Sequence, residues 1–141
     1  MMHHAFEHMD APADVLRKAA ALLAPGGTLL IRVPVADSDA WEHYRENWVQ
    51  FDPPRHLYLH TRASMARLAA GAGLEIFAVE DDSTGVQFME SERYRRGLPM
   101  VGGPKLAELF TKAEMAEYER RAAALNREGR GDQTAFYLRR A

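Results

Sequence analysis

Two histidines and a glutamate near the N-terminus have a spacing found in zinc enzymes. The segment His4-Ala5-Phe6-Glu7-His8 fits the inverted zincin pattern H-x-x-E-H, in which two histidines on one helix face bind zinc and the glutamate acts as the base. Three features argue against this chemistry. The predicted helix begins only at Pro12, the chain end is expected to fray, and no third zinc ligand is evident. We therefore assign no metal ligand from the sequence. We favour adventitious metal binding by His3, His4 and His8 over the activity of a zinc protease. A protein that binds a metal ion through these histidines remains one hypothesis.

A second group of reactive side chains lies in a proline-rich segment. Pro53-Pro54-Arg55-His56 is flanked by Trp48, Phe51 and Tyr58, so that a cation, an imidazole and aromatic rings share one rigid loop. The loop is either part of a functional site or a lid that packs on its own aromatic side chains, and both interpretations stay open. His43 and His60 are interpreted as surface or capping histidines.

The glycine pairs of the sequence do not form phosphate-binding loops. Gly26-Gly27 and Gly71-Ala72-Gly73 each follow a predicted helix and precede a predicted strand, which is the reverse of the order that a phosphate loop requires. They are interpreted as helix C-terminal caps. Neither a P-loop nor a G-x-G-x-x-G turn is present in the sequence.

Composition narrows the class of protein. The 141 residues include 18 Lys and Arg against 20 Asp and Glu, a net charge of 18 − 20 = −2, so nonspecific nucleic-acid binding is disfavoured. The absence of cysteine excludes disulfides, thiolate metal sites and a cysteine nucleophile. No apolar run approaches the ~18 residues of a membrane span, and no signal-peptide pattern is visible, so a cytoplasmic protein without membrane or nucleic-acid partners is expected.

Helix and strand patterns alternate along the chain and predict a single α/β domain over residues 1–141. One strand, Thr28–Val33, is so apolar that burial on both faces is expected. Between Asp81 and Pro104 the pattern is weak. The predicted helices are Pro12–Ala24 with Asp10 as N-cap, Asp39–Asn47 after Ser38, a helix capped by Thr61, and Lys112–Asn126 after Thr111; the other strands are Leu74–Val79 and Gln133–Arg140.

Several of these segments resemble the second half of a class I S-adenosylmethionine-dependent methyltransferase of the type 12 or ubiquinone-biosynthesis-like group. The run from Leu22 to Ile31, with its Pro-Gly-Gly turn, is similar to the family's helix, turn and fifth strand. The segment His4 to Met9 resembles the stretch after the fourth strand, and Ala70 to Glu75 resembles the approach to the sixth. The run Phe51 to Tyr58, followed by Thr61, resembles a loop of one subgroup.

The resemblance implies a fold and a cofactor. The fold is a partial Rossmann-like methyltransferase sheet flanked by helices, with strands in the family order 5-7-6 and the last strand in sequence antiparallel to its neighbours. The implied cofactor is S-adenosylmethionine. The first strand of the family, its glycine-rich turn and its ribose-binding acid have no counterpart among these residues, so we expect that this chain binds the cofactor weakly or not at all by itself.

The resemblance also implies roles for individual residues. His4 and Glu7 are expected at the cofactor site, and His56 or His8 is expected to accept a proton from the methyl acceptor. The expected contacts to a small-molecule substrate come from the loop and its flanks: Arg55, Trp48 and Tyr58.

Two functions are compatible with this sequence. The first is methyl transfer to a small molecule, completed by a missing N-terminal half. The alternative is a non-catalytic module that self-associates or binds a partner through an exposed sheet edge. Because the strand Thr28–Val33 would otherwise lack a neighbour on one side, a homodimer or swapped assembly is expected.

Overall fold

A mixed sheet of four strands forms the centre of the computed structural model, which describes residues 1–141. The strands are β1 (Met2–His3), β2 (Leu29–Pro34), β3 (Leu74–Asp81) and β4 (Gln133–Arg140). Their order across the sheet is β1-β2-β4-β3, with β1 parallel to β2 and β4 antiparallel to both of its neighbours. The predicted α/β class and the order of the three longer strands are therefore confirmed.

Six helices surround the sheet. They are α1 (Pro12–Leu22), α2 (Asp39–Tyr44), α3 (Arg62–Gly71), α4 (Val86–Arg95), α5 (Leu106–Leu109) and α6 (Lys112–Arg127), and two short 3-10 turns cover Phe6–His8 and Arg45–Asn47. None of the helices is long and apolar enough to cross a membrane.

The pairing of β2 with β4 aligns apolar side chains of both strands on one face. Ile31 lies opposite Phe136, and Leu29 lies opposite Leu138. All four side chains are buried, and they pack with residues of α1 and α3 in the main core. On the other face of β2, Leu30 and Arg32 are only half-buried, so the expectation of a strand buried on both faces is wrong.

The short strand β1 was not predicted, because two residues carry no periodic pattern. Met2 pairs with Ile31 and His3 pairs with Arg32, so part of the β2 edge has a neighbour. This pairing corrects the expectation that the whole edge lies open. The N-terminal end is also not frayed, because Phe6 is fully buried in the main core.

Side-chain caps fix the start of three helices where the sequence predicted them. Thr61 and Ser64 form a reciprocal capping box at α3, and Thr111 and Glu114 form one at α6. The Ser38 hydroxyl accepts a hydrogen bond at the start of α2. At α1 the cap is Ala11 and makes no side-chain bond, so the prediction of Asp10 as cap is wrong, and the helix ends at Leu22 because Leu23 is extended.

Helix α4 lies in the segment whose pattern was too weak to interpret. It buries polar side chains such as Gln87, Ser91 and Glu92 together with Phe88, so its sequence lacks the apolar stripe of an amphipathic helix. Phe88 belongs to a second buried cluster together with Ala122 and Leu125 of α6. One side of α6 is therefore packed against the rest of the protein.

A buried hydrogen bond ties this second cluster to the sheet. The indole Nε1–H of Trp48 donates to Oδ2 of Asp132 at 2.8 Å, and both residues are buried. Burial raises the pKa of the Asp132 carboxyl above its ordinary value of 3.8, although hydrogen bonds from Trp48 and Ser83 favour the ionised form. Trp48 therefore has a packing role, which differs from the predicted substrate contact.

The first prediction concerns the main core. Phe136→Ala should lower the free energy of unfolding by about 3–5 kcal/mol, because it leaves a cavity in the main core, where the Phe136 side chain is fully buried. Phe77 lies on β3 and is 45% exposed, so Phe77→Ala is the matched control and should cost about 1 kcal/mol or less. Urea unfolding of the three proteins measures both values, and equal losses would contradict the assignment of the core.

The second prediction concerns Asp132. Because its pKa in the folded chain is raised, the folded state binds the proton more tightly than the unfolded state, and this contribution to stability is lost as the pH rises above 3.8. Asp132→Asn keeps an acceptor for Trp48 and removes the titration. The free energy of unfolding of the variant relative to the wild type should therefore rise between acidic and neutral pH. A difference that stays constant over that interval would disprove the raised pKa.

Candidate active site

The candidate site lies at the edge of the sheet where the parallel strands β1 and β2 end. Ligands of open α/β sheets bind outside the carboxyl ends of such strands. The segment His4–His8 follows β1 directly, and the loop between α2 and α3 is bound to it, because the backbone N–H groups of Leu57 and Tyr58 both donate to the carbonyl of Glu7 at 2.9 and 3.3 Å. Two segments that are far apart in sequence therefore meet at this edge.

A buried carboxylate is the centre of the site. The Glu7 side chain is 0% exposed, and neither of its oxygens has a hydrogen-bond partner. Three imidazoles surround Oε1: His4 Nδ1 lies 3.4 Å away, His56 Nε2 3.9 Å and His8 Nε2 4.0 Å. All three distances exceed the length of an N–H···O hydrogen bond, which is about 2.7–3.2 Å. Glu7 is thus held among nitrogen atoms that contact it only loosely.

Backbone carbonyls fix the tautomers of His8 and His56. Nδ1 of His8 lies 2.7 Å from the carbonyl oxygen of Arg55, and Nδ1 of His56 lies 2.7 Å from that of Gln50. Since a carbonyl can only accept, each Nδ1 carries the proton. In the neutral imidazoles the Nε2 lone pairs therefore face the Glu7 carboxylate.

His4 is oriented from the opposite direction. Arg32 donates to its Nε2 at 2.8 Å, so the proton of the neutral ring is on Nδ1, the atom nearest to Glu7. Burial lowers the pKa of His4, Arg32 lowers it as well, and the charge of Glu7 opposes both effects. His4 therefore directs an N–H toward Glu7 at 3.4 Å without forming a hydrogen bond, whereas His8 and His56 direct lone pairs toward it.

His60 is a buried histidine, which corrects its interpretation as a surface or capping residue. Its ring stacks between Phe6 and Tyr58, with centroid distances of 5.0 and 5.8 Å. Nε2 is buried without a hydrogen-bond partner, and burial lowers the pKa of the imidazole although the charge of Glu7 acts to raise it. The burial of His60 depends on its contact with Phe6, a residue distant in sequence, and sequence patterns do not reveal such contacts.

Two cavities lie beside neighbours of the Glu7 cluster, which consists of His4, Glu7, His8 and His56, and none of these four residues lines either cavity. A groove of about 330 Å³ opens beside His60, and its wall consists of Pro12, Tyr58, Leu59, His60, Ser64, Arg67 and Leu68. A second hollow of about 280 Å³ reaches Gln50, whose carbonyl holds His56, and it extends over Val49, Thr84, Val86, Gln87, Glu90, Met100, Asp132 and Gln133. Either cavity has room for a small molecule.

The predicted substrate-binding residues occupy different environments. Tyr58 is half-exposed on the groove, and its hydroxyl donates to the Asp10 carbonyl at 3.1 Å. The side chain of Arg55 is 72% exposed and pairs with Asp52 at 2.5 Å, while its carbonyl holds His8. Trp48 is buried in the second cluster. Tyr58 and Arg55 are thus accessible to a ligand, and Trp48 is not.

The predicted catalytic and cofactor-binding residues do come together. His8 and His56 face one carboxylate, and His4 and Glu7 contact each other within the same group. Glu7 and His56 are covered almost completely, whereas His4 and His8 are partly exposed. The pattern H-x-x-E-H predicted two histidines on one helix face. In the structure His4 lies outside the short turn Phe6–His8, so no helix presents both histidines on one face.

The fold is similar to a crystal structure described as a "putative sarcosine dimethylglycine methyltransferase" from Galdieria sulphuraria, with 17% sequence identity and a TM-score of 0.49. The alignment covers 97% of this chain and 50% of that one, so the chain spans half the length of the solved protein. No curated protein matches the sequence.

The sequence profile of the methyltransferase domain family matches residues 1–79. That stretch is 79 of the 141 residues, more than half of the chain. It includes β1, β2 and most of β3, together with every residue of the Glu7 cluster. The chain belongs to the methyltransferase domain family.

Proposed function

We propose that this chain forms the substrate side of an S-adenosylmethionine-dependent methyltransferase that acts on a small molecule. The observation that carries the proposal is the family match over residues 1–79, since the matched residues include those that meet at the carboxyl edge of β1 and β2. The groove beside His60 supplies a concave, partly apolar surface of the kind that binds small molecules.

The proposed reaction is an in-line displacement. A lone pair of the acceptor atom attacks the methyl carbon, the carbon–sulfur bond breaks, and its electron pair stays on sulfur, which leaves S-adenosylhomocysteine as the product. Alignment of the reacting atoms supplies most of the rate enhancement. Where the acceptor loses a proton, His56 or His8 is the proposed base, because each presents an Nε2 lone pair whose direction a backbone carbonyl fixes.

We propose that the cofactor is held chiefly by residues outside these 141 positions. The sequence contains no glycine-rich turn after a strand, and such a turn brings backbone N–H groups to a nucleotide. His4 remains a proposed cofactor contact from this chain. Glu7 is buried beneath the histidines and is proposed to position them.

A second candidate function is a non-catalytic module that associates with itself or a partner. The part of the β2 edge that β1 leaves uncovered favours it, because Leu29 and Leu30 have no neighbour in β1. A homodimer formed through this edge is the proposed assembly, and light scattering at concentrations well above micromolar should give twice the chain mass.

The third prediction tests methyl transfer. The chain should transfer label slowly from tritiated S-adenosylmethionine at millimolar concentration to one member of a pool of amine, hydroxyl and carbon acids. His56→Gln should lower that rate about 100-fold or more, because it removes the proposed base. His43→Gln, which changes an exposed histidine elsewhere on the chain, should leave the rate unchanged.

Calorimetry separates the alternatives. Titration of the chain with S-adenosylmethionine should show weak binding, and tight stoichiometric binding would overturn the proposal that most cofactor contacts lie outside this chain. A stable dimer that transfers no label to any acceptor in the pool would instead support the non-catalytic module.

A further inference from the structure

The Glu7 carboxylate is buried without a compensating hydrogen bond. Both oxygens lack partners, and an ionised group in such a place costs free energy unless it is paired or coordinates a metal. The nearest cation-forming side chains are its histidines, since Arg32 is directed to His3 and His4 and Arg55 is paired with Asp52. The charge of Glu7 thus lacks a fixed cationic partner.

Two of the neighbouring imidazoles are arranged as metal ligands are. A histidine that binds a metal through one ring nitrogen usually donates the other N–H to a carbonyl or carboxylate, which fixes the ring. His8 and His56 both do so with the carbonyls of Arg55 and Gln50 at 2.7 Å. Their free Nε2 atoms lie 4.0 and 3.9 Å from Oε1 of Glu7, and one ligand atom from each of the three residues lies within 4.8 Å of the other two.

We propose that Glu7, His8 and His56 form a binding site for one divalent first-row transition ion of the zinc type. Two imidazole nitrogens and one carboxylate oxygen are the ligand set of open zinc sites, whereas Mg²⁺ and Ca²⁺ prefer oxygen ligands throughout. Tetrahedral bonds of about 2.0–2.1 Å place ligand atoms about 3.4 Å apart, so His8 and His56 would each move about 0.6 Å closer to Glu7 from the observed 4.0 and 3.9 Å. The remaining separation, at most 4.8 Å, would shorten by at most about 1.4 Å.

The three proposed ligands differ in exposure. The side chain of His8 is 40% exposed, that of His56 is 7% exposed and that of Glu7 is fully buried, so an ion would approach from the His8 side. The site differs from adventitious binding by the N-terminal histidines, because it excludes His3, whose Nε2 accepts a hydrogen bond from Arg32 at 2.7 Å. It also differs from the zinc-peptidase pattern, because the ligand pair His8 and His56 joins two separate segments.

Metal binding and the proposed base chemistry use the same lone pairs. An ion bound at Nε2 of His8 and His56 prevents either residue from accepting a proton there. The metal proposal does not rest on methyl transfer, since ion binding is measured directly. If the site operates without metal, label transfer by the chain should be unaffected by a chelator.

The fourth prediction is tested by titrating metal-free chain with ZnCl₂ in a calorimeter. One ion should bind per chain, and Glu7→Gln, His8→Gln and His56→Gln should each weaken binding by about 100-fold or more, since loss even of an outer partner costs about 10–100-fold. His3→Gln and His43→Gln are the matched controls and should retain the wild-type affinity. Bound Co²⁺ should show visible absorption bands that Glu7→Gln removes.

The zinc titration remains decisive even if one variant fails to fold. Circular dichroism checks each variant, and His8→Gln changes a partly exposed side chain, so it should fold even if Glu7→Gln does not. The proposal is overturned if no ion binds, if His8→Gln and His56→Gln bind as well as the wild type, or if His3→Gln alone abolishes binding.

Discussion

The anchoring of the turn Phe6–His8 is the constraint on which the candidate site depends. Phe6 is fully buried in the main core, against residues of the sheet and of α1 and α3. On the other side the loop before α3 donates two backbone hydrogen bonds to the Glu7 carbonyl. Because the turn is held from both sides, the carboxylate of Glu7 stays inside the protein, and the core that stabilises the fold also imposes its burial.

That burial sets the electrostatics of the site. Removing a carboxylate from water costs several kcal/mol even after the surroundings relax, and the three imidazoles near Oε1 offset the cost only weakly at 3.4–4.0 Å. A proton shared with the histidines or a bound cation would each compensate the charge. The carbonyls of Arg55 and Gln50 hold each Nδ1–H and leave each Nε2 directed at Glu7, an arrangement that accommodates either solution and that a metal requires.

Local patterns in the sequence predicted the fold better than the site. The β2 and β4 runs are apolar and β-prone, and the caps Thr61 and Thr111 mark helix starts, so these elements could be predicted. Helix α4 could not, because it buries Gln87 and Glu92 where the pattern expects apolar residues. The meeting of Glu7 with His56 depends on how a long loop folds back onto the end of β1, and periodicity carries no information about such contacts. The H-x-x-E-H motif contains three of the four residues of the cluster, and His56 comes from a distant segment.

The measurement that tests this account most directly is a crystal structure of the chain soaked in zinc, with data collected on both sides of the zinc absorption edge. The account predicts one strong anomalous peak within bonding distance of Glu7, His8 and His56, at the carboxyl edge of β1 and β2. A structure in which Glu7 is exposed to solvent, or in which zinc binds His3 and leaves the three residues without a peak, would contradict it.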